Sequence, residues 1–259
     1  MTETSAQIPR APLGVGAIIS DSFSILFGNF FKVFLLGFLG AFLGFIINAL
    51  FLGVEIASGS DPAAGIETTT FIIGMLASVA INMVVYGLVT ALLVQVSYDF
   101  KLGRTNSLGA YFRSALPAIV PIAVLSIVIA FLSMIGAIAL LIGALWVYAV
   151  FYVTAPVVVI ERGGFGSMSR SAALTKEYRW PIVGLFILVL IMTMVLQWIA
   201  VFLVGILTAI GGVIALAIGA SMINGLAYAF GGIVVALVYA RLREIKEGVD
   251  VDKIAAVFE

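Results

Sequence analysis

Two stretches of this chain run without a single charged residue for long enough to cross a lipid bilayer twice. Residues 116–160 and 180–240 contain no Asp, Glu, Lys or Arg. A helix needs about 20 apolar residues to span the hydrocarbon core, so each stretch holds two spans. The whole chain is 63% hydrophobic and 10% charged, whereas soluble domains average about 25% charged residues. The sequence therefore predicts an integral membrane protein.

Turn signals and charges divide the chain into six spans. Gly211 and Gly212 give the second stretch the flexible backbone of a tight turn, and we expect a break near residues 133–136 in the first. The predicted fold class is all-α, a polytopic transmembrane helical bundle of three hairpins. Its membrane domain covers residues 13–240, between a disordered tail (1–12) and a cytoplasmic tail (241–259). The spans are expected at residues 30–53, 71–98, 116–134, 137–160, 180–207 and 213–240.

The basic residues are placed asymmetrically with respect to these spans. All 13 Lys and Arg residues fall on one side of the six-span topology, whereas the opposite loop between the first two spans carries Glu55, Asp61 and Glu67. The positive-inside rule assigns the basic side to the cytoplasm. A seventh span would move four basic residues outside, so the sequence favours six spans with both termini in the cytoplasm.

Short segments before the odd-numbered spans have helical patterns but lack the length to cross a membrane. Residues 13–30 carry apolar side chains at helical spacing on one face and polar ones on the other. Residues 106–116 repeat this pattern, and residues 166–179 do so more weakly. Such patterns predict cytoplasmic interfacial amphipathic helices. The order of helix, span, turn and span suggests an internal repeat, although any six-span protein built from hairpins would have a similar order.

Residue types that serve common catalytic chemistries are missing. The chain has no His and no Cys, which excludes disulfides, thiol chemistry and most zinc, haem and Ser-His-Asp sites. The glycines of residues 163–166 lack the lysine and serine of a phosphate-binding loop. No basic stripe for nucleic acid is present. We therefore predict no catalytic residue, no cofactor and no metal.

Three groups of residues remain as candidate sites. Uncharged polar residues within the spans either hydrogen-bond between helices or converge on a polar cavity; they are Asn48, Asn82, Gln95, Gln197 and Asn224. Gly40 and Gly44 have the GxxxG spacing of close helix packing, within the chain or through self-association. Arg170, Lys176 and Arg179 lie before the fifth span, where they either contact anionic lipid headgroups or simply belong to a cytoplasmic loop.

Three segments carry a resemblance to a known group of proteins. They are GAIISDSFSILFGNF, APVVVIERGGFGSMSRSAALTKEYRW and VYARLREIKEGVDVDKIAAVF. The chain resembles bacterial multi-pass membrane proteins that include the membrane domain of glycerophosphoryl diester phosphodiesterases. This resemblance implies a six-helix protein of the bacterial cytoplasmic (inner) membrane. It does not imply phosphodiesterase activity, which belongs to a separate soluble barrel with histidines that this chain lacks.

These observations order three classes of function. The favoured class is a non-catalytic membrane protein that acts as a scaffold, an assembly partner or a lipid organiser. A transporter, channel or lipid-moving protein is the alternative, although the spans lack charges for proton coupling. An intramembrane enzyme is least favoured. The expected partners are the lipid bilayer and its anionic lipids, with a membrane-protein partner or a homo-oligomer as further options.

Overall fold

The computed structural model describes residues 11–58, 67–104, 106–138 and 140–248. Within these residues the chain contains helices and no strands, and six helices are long and apolar enough to cross a membrane. They are Phe30–Leu52, Thr68–Lys101, Leu108–Ile138, Ile142–Ile160, Arg179–Trp198 and Gly211–Glu247. The predicted all-α polytopic bundle is confirmed. The predicted tails at residues 1–12 and 241–259 lie largely outside the described residues.

Short helices accompany the spans in a regular order. The helices are α1 (Val15–Gly28), α2 (Phe30–Leu52), α3 (Val54–Ser58), α4 (Thr68–Lys101), α5 (Leu108–Ala115), α6 (Ile119–Ile138), α7 (Leu140–Val150), α8 (Thr154–Ile160), α9 (Ser167–Thr175) and α10 (Arg179–Glu247). A 3-10 turn, Leu116–Ala118, joins α5 to α6. Thus α1, α5 and α9 each precede an odd-numbered span.

The fifth and sixth spans form a hairpin within α10. Gly212 leaves the helical conformation with φ 61° and ψ −152°, a left-handed backbone that glycine adopts without steric cost. The side chain of Gln197 on one arm donates to Asn224 Oδ1 on the other at 2.7 Å. The turn therefore lies at the glycine pair that the sequence singled out.

The break between the third and fourth spans differs from the prediction. Helix α6 continues through residues 133–136 to Ile138, and α7 begins at Leu140. Gly136 packs against the next span instead of forming the turn, since a Cβ added there would lie 2.9 Å from the carbonyl carbon of Gly143. The predicted position of this turn was wrong, because Gly136 allows two helices to pack closely and does not form the turn.

The fourth span is itself broken between α7 and α8. Pro156 has no N–H and clashes with the preceding turn, and the Thr154 N–H bonds to Phe151 O at 3.1 Å. This leaves the Val150 carbonyl without its usual helical partner. Ser171 Oγ and Thr175 Oγ1 of α9 both donate to it at 3.0 Å. The break is therefore the point at which α9 attaches to the bundle.

The hydrophobic core is concentrated in one half of the bundle. Residues 229–240 of the last span are buried on every face, as expected of a helix that is apolar all round. They pack against α1, α2 and α4. Near the opposite ends of the spans, large side chains such as Phe131, Ile138 and Ile214 are exposed. We call the tightly packed half the basic half, because the spans carry their Lys and Arg residues at that end.

Helix α1 occupies the segment predicted to be interfacial, but its buried face meets protein. Ile18, Ile25 and Leu26 are buried in the core, and Ser22 Oγ donates to Ile18 O at 2.7 Å. The helix packs against α10. Phe27, an apolar residue of the same segment, is 68% exposed. The amphipathic pattern thus reports docking on the bundle, and the Phe27 side chain lies outside that contact.

A glycine pair sets the distance between α2 and the last span. A Cβ added at Gly37 would lie 2.1 Å from Gly225 O, and one added at Gly225 would lie 2.7 Å from Phe38 Cα. No real side chain tolerates such distances, so the two backbones are in direct contact. This contact joins the first and last spans of the chain.

We predict that Gly37→Ala lowers the free energy of unfolding by about 1–3 kcal/mol, the usual range for overpacking. Thermal unfolding in detergent, followed by tryptophan fluorescence, measures the effect. Gly184→Ala is the matched control, because nothing lies within 4 Å of a Cβ added there and alanine favours a helix by about 1 kcal/mol. Equal melting temperatures for the two variants would contradict this account of the contact.

Candidate functional sites in the basic half

Four charged residues from three segments form an ion cluster, defined here as Glu161, Arg170, Arg243 and Glu247. Glu161 follows α8, Arg170 lies in α9, and the other two belong to the last turns of α10. Arg170 donates through Nε to Glu161 Oε2 at 2.9 Å and through Nη2 to Oε1 at 3.2 Å. This is the bidentate geometry of a strong guanidinium–carboxylate pair.

The second carboxylate closes the ion cluster. Arg170 Nη2 also donates to Glu247 Oε1, and Arg243 Nε donates to Glu247 Oε2 at 2.9 Å. The buried Tyr239 hydroxyl donates to Glu161 Oε1 at 2.8 Å. The hydrogen bonds to Glu161 raise the pKa of Arg170 above its usual value, and a guanidinium is charged even without such a shift. The ion cluster therefore locks α9 and the end of the last span together.

Sequence reasoning missed the ion cluster and gave Arg170 a different role. The spacing of Arg243 and Glu247 at i and i+4 was readable as a helical ion pair. The link from that pair to Glu161 and Arg170 depends on the tertiary fold. Arg170 was predicted either to contact lipid headgroups or to belong to a cytoplasmic loop, and the structure places its guanidinium between two carboxylates of the protein.

The other two predicted headgroup residues lie in different surroundings. The Arg179 guanidinium lies 5.3 Å from the centre of the Trp146 ring, and its Nη2 donates to Ala172 O at 3.5 Å. A cation over an indole face contributes about 0.5–2 kcal/mol, so Arg179 stabilises the fold. The Lys176 residue is exposed, and its carbonyl accepts a hydrogen bond from Lys246 Nζ at 2.9 Å. Lys176 alone of the three keeps an outward position.

The five predicted amides lie in three separate contacts instead of one cavity. Asn82 Nδ2 donates to Asn48 Oδ1 at 3.0 Å, which joins α4 to α2. The Gln197–Asn224 bond joins the two arms of α10. Gln95 accepts from Ser114 Oγ of α5. The hypothesis of one converging polar cavity is not supported, whereas interhelical hydrogen bonding accounts for all five side chains.

Gly40 and Gly44 pack within the chain. A Cβ at Gly40 would lie 2.4 Å from Val89 Cγ2, and one at Gly44 would lie 2.7 Å from Asn82 Oδ1. Both glycines are buried against α4. The GxxxG spacing is therefore occupied by an intramolecular contact, which leaves no free face there for a second copy.

A cavity of about 120 Å³ lies between α4, α6 and the broken fourth span. Its walls are mainly apolar, and they include the side chains of Tyr86, Tyr148 and Tyr152 and the hydroxyls of Ser126 and Thr154. The Thr90 hydroxyl that borders it is buried and has no hydrogen-bond partner within the described residues. Aromatic walls with scattered hydroxyls suit an apolar or weakly polar occupant.

Comparisons complete the description of these sites. Among residues 11–58, 67–104, 106–138 and 140–248, no group of three or more His, Cys, Asp or Glu side chains could hold a metal ion. Searches against protein-family models, curated proteins and solved structures gave no match. The resemblance to the membrane domain of glycerophosphoryl diester phosphodiesterases stays a prediction.

We predict that Glu161→Ala lowers the free energy of unfolding by about 1.5–3 kcal/mol, the range for hydrogen bonds to charged groups. The variant removes the acceptor of Tyr239 and one partner of Arg170. Glu244→Ala is the control, since its pair with Arg241 is a more exposed i,i+3 contact and such pairs contribute about 0–1 kcal/mol. Thermal unfolding in detergent compares the two. A larger loss for Glu244→Ala would refute the role of the ion cluster.

The amide contacts should behave as independent pairs. A double-mutant cycle of Asn48→Ala and Asn82→Ala is expected to give a coupling energy of about 0.6–1.7 kcal/mol, as for other interhelical polar pairs in membranes. The cycle of Asn82→Ala with Gln197→Ala should be additive, because the pairs share no partner. Unfolding in mixed micelles measures both cycles. Coupling between Asn82 and Gln197 would restore the hypothesis of one polar cavity.

Proposed function

We propose that this chain is a non-catalytic protein of the bacterial cytoplasmic membrane that organises anionic lipids around its basic half. The observation that carries the proposal is the recurrence of exposed aromatic or large apolar side chains at all three connections that precede odd-numbered spans, with exposed basic side chains beside them at the second and third. The exposed side chains therefore occur near each of the three short helices, and not in one patch of the surface.

Each of the three connections contributes to this pattern. Before the first span, Phe27 and Phe31 are 68% and 85% exposed. Before the third, Phe112 and Leu116 are exposed beside Arg113. Before the fifth, the exposed side chains are Phe165, Trp180, Arg162 and Lys176. Aromatic rings favour the membrane–water interface.

The energetics favour anionic lipid at this surface. A basic side chain close to an anionic membrane surface contributes about 1 kcal/mol. The short helices are held to the bundle by Ser171, Thr175 and the buried face of α1. Fixed positions lower the entropic cost of presenting several charges to the same lipid layer. A rigid platform of this kind also suits a scaffold or an assembly partner.

The proposed orientation has the basic half and both termini in the cytoplasm. It rests on the positive-inside rule, since every Lys and Arg falls on one side of the six spans. A substrate path receives less support. The polar amides are separated, and each has a hydrogen-bonding role between helices.

The test of this proposal is lipid selectivity in vesicles. The protein is reconstituted into a mixture of phosphatidylglycerol and phosphatidylcholine, and spin-labelled lipids report which species is immobilised at the protein boundary. We expect an excess of phosphatidylglycerol that decreases as salt screens the charges. The double variant Arg104→Gln, Lys176→Gln should reduce the excess, because both residues are exposed. Equal immobilisation of the two lipids by the wild-type protein would overturn the proposal.

A further inference from the structure

Most cations in the basic half already have partners within the protein. Lys32 donates to Asn106 O at 3.1 Å, and Lys101 lies 3.7 Å from Asp21 Oδ2. Arg170 and Arg243 belong to the ion cluster, and Arg241 pairs with Glu244 at 2.7 Å. These residues are occupied by the fold, so they are poor candidates for a ligand site.

Arg113 and Arg162 differ from these cations. Both are exposed, and neither has an ion pair or a side-chain hydrogen bond within the part of the chain that the structure describes. Both line one groove of about 270 Å³ between the α5–α6 junction and the end of α8. Asp99 borders an adjoining hollow that Arg162 also lines. Its carboxylate accepts a hydrogen bond from Asn106 Nδ2 at 2.7 Å, so it has a partner other than Arg162.

The backbone at Arg162 supports a role beyond structure. Arg162 has φ 53°, in the left-handed region where a helix end normally takes glycine. A bulky side chain there costs about 1–2 kcal/mol. Backbone strain of this kind is found mainly at functional sites, where the surrounding structure holds the strained residue in place. Arginine at position 162 thus carries a conformational cost that Gly would not carry.

The rest of the groove is apolar and leads into the membrane. Its walls include Pro117, Pro121, Val158 and Val159. On α6, Val124, Val128 and Phe131 follow Pro121 at helical spacing, and all three are exposed. Residues three and four apart share one helix face. An acyl chain can follow this stripe while a phosphate stays at the two guanidinium groups.

We infer that the groove between α6 and α8 binds one anionic phospholipid of the cytoplasmic leaflet, with its phosphate between Arg113 and Arg162. Two guanidinium groups at one groove, unpaired within the described residues, suit a phosphate, and the apolar walls suit the start of an acyl chain. Guanidinium groups suit phosphate oxygens because they present several donors in a plane. This inference deepens the proposed function, since it adds one specific site to a general preference for anionic lipid.

Native mass spectrometry of the delipidated protein, titrated with phosphatidylglycerol or phosphatidylcholine, tests the inference. We expect one phosphatidylglycerol to bind more tightly than phosphatidylcholine. Arg113→Gln and Arg162→Gly should each weaken it about fivefold, and the double variant about 25-fold, given the usual strength of one basic contact. Added inorganic phosphate should not displace the lipid. Displacement by inorganic phosphate would overturn the lipid assignment.

Arg162→Gly also controls for folding. Glycine adopts positive φ without cost, so the melting temperature should be unchanged or higher while lipid binding falls. Arg241→Gln removes one charge that lies outside the groove and pairs with Glu244, so it should leave the single binding event intact. Equal weakening by Arg241→Gln, or wild-type binding by the double variant, would refute the site. The spin-label assay tests the general preference separately, so either hypothesis can fail alone.

Discussion

The burial of one helix on all sides is the constraint on which the rest of this bundle depends. Residues 229–240 are all buried within the protein, so the neighbouring segments must supply the apolar surface that they contact. The backbone contact at Gly37 and Gly225 lets α2 approach closely. Helices α1 and α4 cover other faces. Since lipid offers no hydrophobic drive between spans, such close dispersion contacts hold the helices together.

The attachment of α9 illustrates how polar groups organise the surface of an apolar core. The broken fourth span exposes one carbonyl, at Val150, and two hydroxyls of α9 satisfy it. The ion cluster then ties the far side of α9 to the end of the last span. An unsatisfied carbonyl near the membrane would cost several kcal/mol. The short helix thus completes the fourth span as well as connecting it to the fifth.

The spans, and the side of the spans on which the basic residues lie, could be predicted from the sequence, because both depend on local composition. The turn at Gly212 was predictable, because tight turns often need a backbone conformation that glycine adopts more easily than other residues. Gly136 was wrongly predicted to lie at a turn, because a glycine in a helix contact and a glycine in a turn look alike without tertiary information. The amides were predicted either to hydrogen-bond between helices or to converge on a polar cavity, and their hydrogen bonds favour the first alternative. Their pairing, and the partners of Arg170, required the packing of distant segments.

The position of Arg113 and Arg162 at one groove could not be read from the chain either, since the two residues lie far apart in the sequence and neither lies in a recognisable motif. The left-handed backbone of Arg162 is also invisible in sequence. Position 162 precedes Gly163 and Gly164, which are the residues expected to be left-handed, and Gly164 does have φ 52°. Sites of this kind arise from where helices end, which is the least predictable property of a helical protein.

The uneven distribution of the core has a mechanical consequence. The largest fully buried side chains, such as Tyr239, Leu93 and Ile182, all lie in the basic half. At the other ends of the spans, contacts involve small residues such as Gly136 and Gly143. A bundle clamped at one end resists bending there and yields at the other. Changes in bilayer thickness, which cost fractions of a kcal/mol per ångström of mismatch, will therefore be absorbed by tilting of the far ends, while the groove and the ion cluster keep their geometry.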